Sequence, residues 1–154
     1  MTYEELEEEI AVELEALEST VNELISLEGD VAGREPTVRE KTAAAAFLAQ
    51  FYSGVENILK RISCYHNVAI PSGETWHVDL FQRYCSPIKP DLPTLLDKAM
   101  SLSLAPYRRF RHVAFHGYGF QLEWERMAEG VARIQNVFSQ FKSSLSDYME
   151  SIKD

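Results

Sequence analysis

The chain has 154 residues, 45% of them hydrophobic, which suits one folded domain with a real core and excludes disorder by composition. No apolar run is long enough to span a membrane, and the acidic N-terminal stretch has no signal-peptide pattern. Cys64 and Cys85 form neither a CxxC pair nor a disulfide framework and read as small apolar residues, so a reduced, cytoplasmic protein is expected.

The net charge of −9 argues against nucleic acid until its distribution is considered. Eleven of the 24 acidic residues lie in residues 1–33, where there is no Lys or Arg. The other thirteen are outnumbered by fifteen Lys and Arg, so the rest of the chain nets +2. Local potential, not total charge, decides whether a polyanion can approach. The acidic stretch reads as a solvated face, as a surface for a basic partner, or as a shield over the chain's own basic groove.

Leu6, Ile10, Leu14, Leu17, Val21 and Leu24 recur at steps of three and four and predict a first long helix. Thr2 with Glu5 forms a capping box at its start, and Thr37 with Glu40 forms another where a second helix begins. Gly29 to Pro36 joins the two. Phe47, Phe51, Val55, Ile58, Ile62 and Tyr65 form the apolar stripe of the second helix.

The middle is more broken. Asn67 to Gly73 reads as a loop, and Thr75 is placed to cap a short helix from Trp76 to about Cys85. Pro87, Pro90 and Pro93 enforce an irregular connection. A helix is expected to restart at Thr94, and Pro106 to interrupt it or to open the next one. Gly117 and Gly119 are expected to end that segment. Trp124, Met127, Val131, Ile134, Phe138, Phe141, Leu145, Tyr148 and Ile152 predict a last long helix. No period-two run suggests a strand. The expected fold is all-α: one domain over 1–154, an up-and-down bundle of four to six helices.

The chemistry concentrates in Tyr107–Phe120. Arg108, Arg109, Arg111, His112, His116 and Tyr118 gather there, and no acid occurs between Lys98 and Gln121. An arginine can hold a phosphate and offset developing charge, and a histidine can move a proton at neutral pH. Attack by an RNA 2′-hydroxyl on its own phosphodiester needs a base, an acid and a cation near the phosphorane oxygens. His116 and Arg111 are the candidates, with no cofactor and no metal required.

On a helical wheel Phe110, Val113, Ala114 and Gly117 face one side and the cationic groups the other, with Phe115 among them. A phenylalanine in that position is expected to be covered, most simply by a second copy of the chain. Arg111 and His116 fall about 140° apart on an ideal helix. Either the helix ends near Gly117 and frees His116 to turn, or two copies pair their groups across a two-fold axis.

Other pairings carry less. His112 and His116 share a helix spacing that could bind a metal, but the adjacent arginines oppose it. Glu74 and His77 have a metal-helix spacing with no second copy of the motif, and His66 and His77 are expected to serve structural roles at helix ends.

Arg111, four residues, His116, one residue, Tyr118 resembles the signature of HepT-like toxins of the HEPN superfamily. The wider run from Phe110 to Met127 resembles a HepT-like branch with a long final helix. That resemblance implies a homodimer, alone or within a larger hetero-complex, with paired motifs at its interface and metal-independent endoribonuclease activity. It implies Arg111 and His116 as catalytic and His112 as supporting, while Arg108 and Arg109 read, from their charge alone, either as RNA phosphate contacts or as solvated side chains. It further implies a minimal nucleotidyltransferase antitoxin as partner, which adenylylates the motif tyrosine, here Tyr118. Two other functions compete: a non-catalytic HEPN interaction module that docks a nucleotidyltransferase, and a neutralising partner that works through residues 4–28.

Overall fold

The computed structural model describes residues 1–153, with the side chains of all but Val113, Phe115, His116 and Phe120. Among the described residues there are five α-helices and one short 3₁₀ turn, and no strand. The helices are α1 (Tyr3–Val31), α2 (Val38–Tyr65), α3 (Trp76–Arg83), α4 (Lys98–His116) and α5 (Trp124–Ile152). The 3₁₀ turn, η1, spans Gly119–Gln121.

Both capping boxes form as the sequence predicts. Thr2 and Thr37 accept from the backbone N–H of Glu5 and Glu40, and each glutamate reaches back to its cap. Each box satisfies two amide donors that a helix start would otherwise leave unpaired.

The four long helices run up and down. Arg61, late in α2, pairs with Glu9 (2.8 Å) and Glu13 (3.0 Å), early in α1, so these two are antiparallel. The Tyr3 hydroxyl donates to the Met149 carbonyl at 3.2 Å, which sets α5 antiparallel to α1. Arg111 meets Ser53, and Gly119 lies against Thr42, so α4 returns antiparallel to α2. One core draws on every helix, with Phe51, Tyr52, Ile58, Ile62, Leu104, Ile134 and Phe141 closed off from solvent. The α1–α2 crossing is tight enough that a Cβ on Gly54 would lie 2.5 Å from Leu17 Cδ2.

Two boundaries differ from expectation. The fourth helix begins at Lys98, not Thr94, because Asp97 Oδ1 accepts from the Met100 N–H at 2.8 Å and acts as the cap. Pro106 neither breaks nor opens a helix but lies inside α4. Its missing N–H would have paired with the Leu102 carbonyl one turn back. Leu102 is 65% exposed and Pro106 is exposed too, so this turn lies on the solvent face of α4. Thr75 does precede α3, but its hydroxyl donates to Asp79 Oδ2 at 3.0 Å instead of capping the backbone. The two cysteines are free and exposed and do not fill the core.

Candidate active site

Residues 52, 53 and 56 occupy neighbouring positions on one side of α2, where it faces α4. Tyr52 and Glu56 are buried there, and Ser53 is half-buried. Across from them α4 presents Arg108 and Arg111 one turn apart. The segment after α2 then folds back, and α3 packs against α2 with His77 as its second residue. A cleft of about 770 Å³ opens between α2, α3 and α4, lined by Tyr52, Trp76, His77, Arg108, Arg111 and His112 among others.

Arg111 is held from two sides. Its Nε donates to Ser53 Oγ at 3.2 Å and lies 3.4 Å from Glu56 Oε1. Its Nη1 lies 2.9 Å from His77 Nε2. The other ring nitrogen, His77 Nδ1, lies 2.5 Å from Glu56 Oε2. A guanidinium has donors only, so Nε2 must accept. The ring proton then sits on Nδ1 and is donated to Glu56. The result is a closed circuit of Arg111, His77 and Glu56 in which each bond is of the charge-assisted type or supports one.

Only 3% of the Glu56 side chain is exposed. An isolated carboxylate there would carry a large desolvation cost, and Arg111 offsets it. His77 is oriented in turn by Trp76, whose ring centroid lies 3.4 Å from its own. Lys60 Nζ sits 4.1 Å from the Trp76 ring.

Two polar atoms beside this circuit have no hydrogen-bond partner: the Tyr52 hydroxyl and Arg108 Nε. Burial, aided by the nearby Glu56 charge, pushes the Tyr52 phenol far above its ordinary pKa, against the pull of Arg108 and Arg111. Tyr52 therefore stays a neutral donor. The Arg108 guanidinium lies over the Phe81 ring at 5.1 Å, which tucks it against α3. Arg109 and His112 are exposed on the rim.

The structure thus brings Arg108, Arg109, Arg111 and His112 to one cleft. The side chain of His116 lies outside the described residues, as does that of Phe115, on which the covered face was argued. Tyr118 follows the end of α4 and is 69% exposed, and its backbone N–H donates to Gln121 Oε1 at 3.3 Å. The adjoining Gly119 is seated, not loose: a Cβ there would meet Thr42 Oγ1 at 2.2 Å.

Sequence reasoning saw an acid-free segment and missed the acid that folding delivers to it. Glu56 interrupts the buried flank Tyr52–Leu59–Ser63 of α2, and a lone carboxylate there calls for a cation from elsewhere. His77, read as structural, lies beside Arg111. No residue of the acidic first helix lines the cleft. Glu9 and Glu13 are instead occupied by Arg61. Among the described residues no group of His, Cys, Asp and Glu is arranged to hold a metal, the Glu74–His77 spacing included.

A family model described as HepT-like protein matches residues 43–152, well over half of the chain. The chain belongs to the HepT-like family. The match runs from α2 through α5 and so includes the whole HepT-like cleft, while α1 lies outside it. No curated protein and no solved structure matches the chain significantly. The all-helical bundle of this HepT-like protein is the architecture expected of the HEPN superfamily. No described helix is long and apolar enough to cross a membrane.

Proposed function

We propose that the protein is a metal-independent endoribonuclease toxin whose 154 residues act as one unit. The observation that carries this reading is Arg111, fixed by Ser53, Glu56 and His77 at the wall of a cleft that also presents Arg108, Arg109 and His112. A guanidinium held in this way needs no reorganisation when charge develops on a phosphorane. Arg108 and Arg109 draw in the polyanion. The 2′-oxygen attacks phosphorus, its proton passes to a base, the P–O5′ bond breaks, and the departing 5′-oxygen takes a proton from an acid. His116 is the proton-transfer group, and His112 supports it. The products are a 2′,3′-cyclic phosphate and a 5′-hydroxyl. Flexible, single-stranded RNA reaches the in-line geometry most readily.

Two copies of the chain are proposed to pair, so that each supplies a motif to the shared cleft. Exposed Tyr118 is the proposed site of adenylylation by a minimal nucleotidyltransferase antitoxin. A nucleotide there would add bulk and negative charge where RNA enters.

The decisive measurement is RNA cleavage by unmodified protein in excess chelator, wild type against His116→Ala. Loss of activity by about 10²-fold or more in the variant, with chelator harmless to the wild type, is the expected result. If neither protein cuts, and mass spectrometry shows Tyr118 unmodified, the non-catalytic module that docks a nucleotidyltransferase becomes the better reading.

A further inference from the structure

We propose that His77 and Glu56 are positioning residues for Arg111, forming a relay that aims the guanidinium at the reacting phosphate. The proposal rests on the ribonuclease reading above and names the parts that make its cationic group effective.

Three elements far apart in sequence converge on one side chain. Ser53 and Glu56 come from α2, His77 from α3 and Arg111 from α4. Both carboxylate oxygens of Glu56 are used: Oε2 lies against His77 Nδ1 and Oε1 against Arg111 Nε. Both nitrogens of His77 are used as well. The ring therefore acts as a spacer of fixed length and fixed polarity, accepting on one side and donating on the other. Trp76 packs against it and holds its plane.

His77 is a positioning residue and not a second proton-transfer group. Its Nε2 lone pair is directed at Arg111, and its Nδ1 proton at a buried carboxylate. Accepting a proton from substrate would require breaking the bond to Arg111. A doubly protonated ring would also present a donor to a donor there.

The charges explain why such a relay is useful. Glu56 offsets the charge of Arg111, so this pair contributes little to long-range attraction. Attraction falls to Arg108 and Arg109, while Arg111 contributes direction. The two roles are separable in kinetics: steering and ground-state binding appear in KM, and transition-state contact in kcat. The relay also completes the arginine half of the site within one chain. A second copy is needed for no part of it.

The test uses three variants of the full chain, each checked for folding by its thermal transition. His77→Phe keeps a flat ring but has neither acceptor nor donor. His77→Gln offers a carboxamide with one of each and can restore the circuit. Glu56→Gln places an NH₂ group where one of two donors must be met. Misaiming a catalytic group by about 1 Å can cost about 10²-fold, so His77→Phe and Glu56→Gln should lose kcat on that scale with KM changed little. His77→Gln should recover most of the loss. Unchanged kcat in His77→Phe overturns the relay, as does equal loss in His77→Phe and His77→Gln. If Glu56→Gln does not fold, the two His77 variants decide.

Nitrogen-15 NMR of the His77 ring and the Arg111 Nε–H separates failure of the relay from failure of the ribonuclease reading. A wild type that cuts no RNA sinks the ribonuclease reading alone. The relay then stands if His77 carries its proton on Nδ1 and the Arg111 Nε–H is protected in wild type and not in His77→Phe. A ring protonated on Nε2 overturns it.

Discussion

The second half of α2 and its C-cap carry two sets of buried polar groups, and the two sets are built on opposite principles. Near its C-terminus the Ser63 hydroxyl donates to the Leu59 carbonyl and shares a 2.7 Å bond with the Tyr84 hydroxyl, while His66 Nε2 and the Tyr148 hydroxyl lie 2.9 Å apart. Those groups are neutral, and burial raises the Tyr84 phenol to about 12. One to three turns earlier Glu56 is charged and pairs with Arg111, which lines a cleft, and Tyr52 and Arg108 beside them each leave a polar atom unpartnered. The neutral set closes on itself and locks α2 to α3 and α5. The charged set stays unfinished on one side. A bundle that needed only stability would repeat the first pattern, since buried ion pairs seldom stabilise more than apolar packing does.

The sharpest way to break this contrast is Arg111→Met. It leaves Glu56 buried without its cation and should cost about 3 kcal/mol in urea unfolding. Adding Glu56→Leu should return most of that stability and none of the RNA cleavage. A double variant no more stable than the single one would show that the charged set is structural after all.

In the neutral set Tyr148→Phe should cost only about 1 kcal/mol, because one hydrogen bond goes and His66 keeps its place. Cleavage should be unaffected. A loss comparable to that of Arg111→Met would erase the distinction between the two sets.

The smallest effect is one of pH. Burial lowers the pKa of His66, with Lys89 adding to the shift and Asp91 opposing it. The folded state therefore favours the neutral ring. Its contribution is full above the ordinary value of 6.5 and is lost as pH falls through the lowered folded value. The urea midpoint of the wild type should decline as pH falls below about 6.5, and His66→Gln should flatten that part of the decline. An equal slope in both proteins would place the titration elsewhere.

What was legible in the sequence was local. Thr2 and Thr37 announce their helices because a capping box needs only residues three apart. The stripe from Trp124 to Ile152 survives as one uninterrupted helix for the same reason. Pro106 misled, because the cost of a proline depends on whether the carbonyl it strands is wet, and that is set by which face of α4 meets solvent. Arg111 was found from its motif spacing. Its partners were not, because no spacing rule links Ser53, Glu56 and His77 to a residue in another helix. Glu56 left a trace as a carboxylate on an apolar flank. His77 left none beyond an ordinary histidine near a helix start.

The contacts that seat Arg111 join residues 34 and 58 positions apart in the chain. A peptide spanning only α4 would carry both Arg111 and His116 and yet have nothing to aim its arginine. The site therefore comes into being late, when α2, α3 and α4 have all docked, and it dissolves with the first opening that parts them. On the ribonuclease reading proposed above, a nascent or partly unfolded chain would not cut, since the seating of Arg111 belongs to the closed tertiary structure and not to any stretch of sequence.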